Sequence, residues 1–146
     1  MCLINNLGKA KQLVLFDGLM WDGASLTDID FCLEFHNKVW VIGEVKSQGV
    51  YFPAGQRKLM ARFINMVRAS GKRAIAIVVD HNVWNWKEPV MLRNCMVREY
   101  YTTETGRWAF PRRPYYVGEM IDTYLEMCGV GGECNGQIAS YLQSTG

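Results

Sequence analysis

Some kinds of residue are scarce in this 146-residue chain, and their scarcity excludes several classes of protein. No apolar run approaches the roughly 18 residues that a membrane-spanning helix needs. The N-terminal residues 1–6 lack the apolar core of a secretory signal peptide. Neither charge sign dominates, because 16 Lys and Arg against 14 Asp and Glu leave a formal net charge of +2, so a strongly basic surface must be local. We expect an intracellular, cytoplasmic protein with no membrane partner.

Histidine is also scarce, with two residues, while the chain has five cysteines. An odd, scattered set of cysteines in a reducing compartment predicts free thiols rather than a disulfide framework. Cys128 and Cys134 are close enough in sequence to share a zinc ion, but the spacing is wrong because no second tight pair or histidine follows. His36 is predicted in a surface turn. His81 follows a predicted buried strand, where it is either structural or close to a phosphate path.

The chain has the composition of a folded domain, with 49% hydrophobic and 21% charged residues. We predict a single domain over residues 1–146. Its centre is predicted to contain a hairpin of strands 28–36 and 39–46, a helix over 55–70 and a strand over 73–80. The last strand is continuously apolar, which is typical of a strand covered on both faces. Since a strand–helix–strand unit pairs its strands in parallel, we expect an α/β fold with a mixed central sheet and flanking helices.

Residues 90–127 are predicted to add an accessory hairpin and a helix. A strand over 90–102 is followed by a Thr-Gly turn and a short partner strand over 107–110. Apolar residues at helical spacing predict the helix over 115–127. A further strand is predicted near the N-terminus, over 12–16.

The charged residues of the predicted hairpin fall on one face of it. Asp28 and Asp30 are two residues apart, as are Glu44 and Lys46, and side chains two apart on a strand share a face. The short polar turn 36–38 brings Asp30 to the level of Glu44. The opposite, apolar face is expected to turn toward the core and consists of Ile29, Phe31, Leu33, Phe35, Val41 and Val45.

Charges on a central strand are costly unless they bind something. A hard divalent cation suits them, because Mg²⁺ takes oxygen ligands and is usually held by one or two carboxylates together with substrate phosphates. The alternative is a solvated strand face with a weak salt bridge. Asp28 is either a second ligand or a residue at the strand entrance. Gln56, in the first turn of the predicted helix, either supports a phosphate or faces solvent.

The order of these residues carries a family resemblance. Asp30, thirteen intervening residues, Glu44-x-Lys46 and a helix that opens at Gly55-Gln56 resemble the PD-(D/E)XK nuclease superfamily. The pattern is similar to that of small phage-type nucleases. In its hairpin and helix it is also similar to that of archaeal Holliday-junction resolvases.

The resemblance covers roughly residues 26–82 and implies a restriction-endonuclease-like core with a magnesium- or manganese-dependent site that hydrolyses DNA. The implied metal ligands and catalytic groups are Asp28, Asp30, Glu44, Val45 through its backbone carbonyl, Lys46 and Gln56. Of these, Lys46 would position the attacking water or offset the charge that develops on the phosphate.

One ligand of the family pattern is missing from this chain. Many relatives carry a glutamate on a helix before the first strand, whereas no glutamate precedes Asp30 here. Three explanations follow: Asp17 or Asp22 supplies the ligand, the site has fewer ligands, or the enzyme is degenerate.

Cationic and aromatic residues are interleaved over 98–116, and such a mixture suits phosphate contacts and base stacking. The residues expected to contact DNA, including two from the start of the helix, are Arg57, Lys58, Tyr101, Arg107, Trp108, Arg112 and Arg113. The alternative is a hairpin with packed aromatics and an exposed arginine pair. Trp84 and Trp86, near Lys87, are weaker candidates.

Together these patterns predict a metal-dependent DNA endonuclease or exonuclease of phage type, acting in the host cytoplasm. Two alternatives stay open. One is a resolvase of branched DNA, which would act as a homodimer. The other is a catalytically inactive nucleic-acid-binding module, and the missing early glutamate motivates it.

Overall fold

The computed structural model describes residues 18–130, leaving out the side chain of Ser25. The predicted strand 12–16, Asp17 and Cys134 lie outside the described residues. The elements that follow one another in this part of the chain are β1 (Met20–Trp21), β2 (Ala24–Ser25), β3 (Phe31–Phe35), β4 (Val39–Ser47), α1 (Ala54–Ala69), β5 (Arg73–His81), a 3₁₀ turn (Leu92–Asn94), β6 (Met96–Thr102), β7 (Trp108–Ala109) and α2 (Val117–Met127).

The strands of residues 18–130 form two sheets. Within this range β1 and β2 pair only with each other, and the other five strands have the order β3-β4-β5-β6-β7. β4 and β5 are parallel, while the other neighbouring pairs are antiparallel. The predicted α/β fold with a mixed sheet is therefore confirmed. Neither α-helix of the described part is long and apolar enough to cross a membrane.

Strand β5 lies at the centre of the sheet because its side chains are apolar on both faces. Its residues from Ala74 to Val79 are each at most 1% exposed. On one face Ile75 and Ile77 pack in the same core as α2. On the other face Val78 packs in the same core as α1. This arrangement confirms the prediction of a central strand covered on both sides.

Helix α1 forms because apolar residues recur at helical spacing. Met60, Ile64 and Val67 make the buried stripe that faces the sheet. Gly71 follows the helix with a φ of +79°, a conformation that glycine adopts without strain. The helix begins and ends one residue earlier than predicted.

Strand β3 begins at Phe31, three residues later than predicted. Asp28 and Asp30 therefore precede the strand, and the expectation that they share a strand face is wrong. The expected core positions are also wrong for Ile29 and Leu33, which are 40% and 37% exposed. β3 is the outer strand of the described sheet, so little of its length is covered.

The later elements are shorter than predicted. β6 begins at Met96, because a 3₁₀ turn occupies the preceding residues. β7 has two residues instead of four. α2 begins at Val117, because Tyr116 is its N-cap and the Tyr116 N–H donates to the Glu119 side chain at 3.2 Å. The cysteines expected to be free thiols are free where the structure describes them, at Cys32, Cys95 and Cys128.

Candidate active site

The charged residues of β4 lie where the first turn of α1 approaches the strand. Glu44 is 4% exposed, although an ionised carboxylate is costly to bury. Its Oε1 atom accepts hydrogen bonds from Lys46 Nζ at 2.7 Å and from Gln56 Nε2 at 2.8 Å. The structure therefore brings these three predicted residues together.

Gln56 contributes a buried polar atom without a partner. Its Oε1 atom is buried, and no hydrogen bond reaches it within residues 18–130. Leaving such a group unsatisfied costs about 1–3 kcal/mol. The N-cap of α1 is Pro53, which offers no side-chain hydrogen bond, and the first turn has no acidic residue. The positive end of the helix dipole is therefore not neutralised by the helix itself.

Asp30 lies beside the same part of β4. Its N–H donates to the Gly43 carbonyl at 3.1 Å, and its Oδ2 atom accepts from the Val45 N–H at 2.7 Å. In a strand, the N–H and the carbonyl of one residue point to the same edge. The Val45 carbonyl therefore faces the edge of β4 on which Asp30 lies.

The position of Asp30 depends on the glycine of β4. Phe31 pairs with Gly43 across the two strands. A Cβ atom on Gly43 would lie 1.8 Å from Cζ of the Phe31 ring, so the ring occupies the space that a side chain would need. Only glycine lets β3 and β4 pair in this register, and the pairing brings Asp30 next to Val45.

Other acidic candidates are not joined to this group. Asp28 is exposed, and among the described residues no hydrogen bond links it to Glu44 or Lys46. Asp22 is exposed in the turn between β1 and β2, with a φ of 48°. In the part of the chain that the structure describes, no three His, Cys, Asp or Glu side chains converge as a metal site.

The donor set at the site nevertheless suits a hard divalent cation. The available donors are oxygens. The carboxylate of Glu44 and the unpaired Oε1 of Gln56 lie together, and the carboxylate of Asp30 and the carbonyl of Val45 lie on the neighbouring edge of β4. Mg²⁺ is commonly held by only one or two carboxylates and keeps several waters. The buried amide oxygen of Gln56 bears most directly on this fit, because a cation or its water would satisfy it.

A second ion pair adjoins the site and was not predicted. Asp80 is paired in register with Lys46. Its Oδ1 atom accepts from Arg98 Nε at 2.8 Å and Nη2 at 2.5 Å. Arg98 also donates to the Val50 carbonyl at 2.6 Å and so holds the loop between β4 and α1. The sequence predicts parallel strands that end at residues 46 and 80. Aligning these two ends is the signal that could have placed Asp80 beside Lys46.

His81 lies at the end of β5, next to the end of β4. Its Nε2 atom is 3.2 Å from Ser47 Oγ, and its carbonyl accepts from the Gln48 N–H at 2.8 Å. Its Nδ1 atom accepts from the Val83 N–H at 3.2 Å. These bonds join the two strand ends, which gives His81 a structural role beside the site.

Several residues expected to contact DNA form a packed cluster instead. Arg57 pairs with buried Glu99 through Nη1 at 2.9 Å and Nη2 at 2.5 Å. Its guanidinium also lies over the rings of Phe52 and Trp108. Tyr101 is 6% exposed, and its hydroxyl donates to Asn65. The Tyr101 ring is therefore covered, and these residues match the alternative of packed aromatics.

The remaining cations of that prediction are exposed. Lys58 lies on α1, and Arg107 and Arg112 lie in or near the β7 region. Arg113 is exposed as well, although its guanidinium lies 3.7 Å from the centre of the Tyr115 ring and it pairs with Glu119 at 3.5 Å. These four side chains are accessible to a ligand, as an exposed arginine pair and its neighbours should be.

No family model, curated protein or solved structure matches this chain. Its function is therefore inferred from the chemistry of the site. That site consists of a buried carboxylate, an ammonium group, an unpaired amide oxygen and a neighbouring aspartate at the end of two parallel strands.

Proposed function

We propose that the chain is a metal-dependent nuclease that hydrolyses phosphodiester bonds in DNA, on a restriction-endonuclease-like core of the PD-(D/E)XK type. The supporting observation is the buried carboxylate of Glu44, held by Lys46 and Gln56 on a central strand. A buried ion of this kind reduces stability more often than it adds to it. Binding of a ligand is a reason for a protein to retain it.

Asp30, Glu44 and the Val45 carbonyl are the groups that would hold Mg²⁺ or Mn²⁺, with Gln56 Oε1 as a further oxygen beside them. A bound divalent cation supplies Lewis-acid polarisation of the phosphate and lowers the pKa of its water. Asp28 remains a candidate ligand without a described contact to the group.

The chain's own residues then have distinct tasks. Lys46, paired with Glu44 at 2.7 Å, would orient the attacking water or offset the negative charge that grows on the phosphate oxygens. The N-terminus of α1, without acidic residues, favours a phosphate group nearby. In the hydrolysis a water oxygen bonds to phosphorus, the bond to one ester oxygen breaks, and that oxygen takes up a proton.

The exposed cations supply the rest of the DNA-binding surface in this proposal. Lys58, Arg107, Arg112 and Arg113 would contact phosphates, and such contacts weaken as salt concentration rises. Arg57 and Trp108 would act indirectly, by packing α1 against β6 and β7.

The test is a cleavage panel with linear, circular and branched DNA in Mg²⁺, in Mn²⁺ and in EDTA. We expect cleavage only with metal, and a loss of about 100-fold or more in Asp30→Asn and in Lys46→Met. Matched controls are Glu34→Gln on β3 and Lys72→Met near the start of β5, which should stay within about 2-fold of the unaltered chain. Thermal unfolding of each variant shows that it is folded.

Cleavage that persists in EDTA, or in both site variants, would overturn the proposal.

A second candidate function is DNA binding without catalysis. It is favoured by the finding that no three metal-ligating side chains converge within residues 18–130. A binding module would retain DNA in EDTA and cut no substrate of the panel at any Mg²⁺ or Mn²⁺ concentration.

A further inference from the structure

Two loops leave the sheet at the candidate site. β4 and β5 are adjacent and parallel, so their C-terminal ends lie at the same end of the sheet. The loop 48–53 leads from β4 into α1, and the loop 82–91 follows β5. The two loops are joined at their start, because the Gln48 N–H donates to the His81 carbonyl at 2.8 Å.

These loops carry three aromatic side chains that the fold leaves uncovered. Tyr51 is 75% exposed, Trp84 is 87% exposed and Trp86 is 86% exposed. Tryptophan is highly buried on average, and leaving its ring in water forgoes the favourable burial of apolar surface. Large exposed apolar side chains on loops beside a site are typical of a binding surface.

The rings are available for stacking. Among the described residues no ring contact joins Trp84 to Trp86, so neither indole covers the other. Lys87 Nζ lies 5.4 Å from the centre of the Trp86 ring and adds a positive charge there. Aromatic rings combined with cations are the usual means by which proteins hold single-stranded nucleic acid.

The rings are also close to the site along the chain. Trp84 and Trp86 follow His81 by three and five residues. Their Cα atoms therefore lie at most about 11 Å and about 18 Å from the Cα atom of His81. His81 is itself paired with Ser47, the residue after Lys46. The loop with Tyr51 is held from the other side, by the bond from Arg98 to the Val50 carbonyl.

We propose that Tyr51, Trp84 and Trp86 form a stacking surface for unpaired bases that flank the phosphate at Lys46. The inference deepens the proposed nuclease function and names its substrate class as single-stranded DNA, including frayed or branched ends. Bases within a duplex are stacked on each other and cannot lie on protein rings without being extruded. Unpaired bases are free to stack on such rings.

The positive charge near the rings favours DNA over an apolar protein partner. Lys87 lies at Trp86, beside Glu88, and the N-terminus of α1, whose first turn has no acidic residue, follows the loop that carries Tyr51. A polyanion with exposed π faces matches both the charge and the rings. An apolar peptide would use the rings but would offer no anion to Lys87 or to the N-terminus of α1.

The test measures binding without cleavage. Fluorescence anisotropy in EDTA compares a labelled oligothymidine with a blunt hairpin duplex of equal charge. In the double variant Trp84→Ala/Trp86→Ala we expect affinity for the single strand to fall about 10-fold or more. Affinity for the duplex should stay within about 2-fold. Trp84→Phe/Trp86→Phe, which keeps aromatic faces, should recover most of the lost affinity.

The matched control is Trp21→Ala, because Trp21 is 60% exposed but lies in the separate β1–β2 sheet. The inference is overturned if the alanine double variant binds the single strand normally, if it loses single strand and duplex equally, or if the phenylalanine variant binds no better. Ring-dependent binding to anionic lipid vesicles, without ring-dependent DNA binding, would also overturn it.

The two proposals fail in different ways. If the chain never cuts DNA but shows the ring-dependent preference in EDTA, the nuclease proposal fails and the stacking surface stands. If it cuts duplex and single strand equally and the tryptophan variants cut normally, the stacking surface fails and the nuclease proposal stands.

Discussion

At the scale of the residue, the site combines two groups that a folding domain normally avoids. Glu44 is a buried carboxylate, and Gln56 Oε1 is a buried acceptor without a donor. Both donors that reach Glu44, from Lys46 and Gln56, converge on the same oxygen. The Glu44 carboxylate and the unpaired Gln56 Oε1 atom are negative or partly negative, while the nearby N-terminus of α1 is partly positive. A metal ion with a phosphate would match both at once, and the proposed nuclease function rests on this match.

The contact between Gly43 and Phe31 is a further requirement at this scale. The Phe31 ring lies where a Cβ atom on Gly43 would be, 1.8 Å from its Cζ. Asp30 is the residue before Phe31, and its two hydrogen bonds reach Gly43 and Val45. The apolar contact therefore determines where the aspartate lies.

We predict that Gly43→Ala destabilises the fold by about 1–3 kcal/mol, because the added methyl overpacks against the Phe31 ring. Urea unfolding measures the change. The double variant Gly43→Ala/Phe31→Ala should cost less than the sum of the two single changes, because removing the ring makes room for the methyl. Gly118→Ala is the control, since a Cβ there meets nothing within 4 Å. Additive effects would show that the ring and the glycine do not interact.

At the scale of the element, the Arg57–Glu99 pair joins α1 to β6. Glu99 is 3% exposed, and both of its oxygens accept from the Arg57 guanidinium. The guanidinium lies 5.2 Å and 5.1 Å from the ring centres of Phe52 and Trp108. The planar guanidinium pairs with both carboxylate oxygens while its face lies over the rings, whereas the ammonium group of lysine cannot form the bidentate pair. Arg57 thus holds the start of α1, and with it Gln56, against the sheet.

We predict that Arg57→Ala destabilises the fold by about 3 kcal/mol, because it leaves the Glu99 carboxylate buried and unpaired. The neighbouring Lys58→Ala should change the free energy of unfolding by no more than about 0.5 kcal/mol, because Lys58 is exposed. Denaturant unfolding measures both.

The double variant Arg57→Met/Glu99→Leu tests the same explanation by removing both charges of the pair. It should regain much of the lost stability, because no charge is then left buried. Equal effects of Arg57→Ala and Lys58→Ala would mean that Arg57 contributes no more to the fold than a surface cation.

At the scale of the whole molecule, a polar network ties α2 to the sheet, on the face away from α1. The Tyr124 hydroxyl lies 2.9 Å from both the Ala74 carbonyl and Glu104 Oε2, and its single proton is shared between these two acceptors. Glu104 also accepts from Arg73 Nε at 2.6 Å. Burial raises the pKa of Glu104, but the hydrogen bonds from Arg73 and Tyr124 outweigh it and the net pKa is lowered. Burial raises the pKa of Tyr124, so the phenol stays a donor.

We predict that this network makes the fold sensitive to acid. The carboxyl of Glu104 has a lower pKa when folded than its unfolded value of about 4.3, so it stabilises the fold above that pH. The contribution is lost as pH falls through the folded pKa. Glu104→Gln should cost about 0.5–1 kcal/mol at pH 7, because the pair is partly exposed, and less at pH 3.

Urea unfolding at the two pH values measures the difference. Arg73→Met should remove the same pH-dependent part, because it takes away a main cause of the lowered pKa. A Glu104→Gln effect that is as large at pH 3 as at pH 7 would contradict the assignment.

The sequence by itself determined the elements that depend on local pattern. The continuous apolar run of β5 required a central strand, and the spacing of Met60, Ile64 and Val67 required α1. The polar turn around His36, where φ is 50°, required the hairpin. These features are predictable because the residues that cause them lie within a few positions of each other.

Only the tertiary structure decided which groups meet. Arg57 is 42 residues from Glu99, and one register of β5 against β6 sets that pair. Burial of Tyr101 beneath α1 and exposure of Trp84 likewise follow from how helix and loops pack on the sheet. Side-chain contacts between distant residues depend on strand register and helix packing, and the hydrophobic periodicity of the sequence specifies neither. The local pattern placed Glu44 and Lys46 on one strand face, and the packing of α1 on the sheet enclosed them.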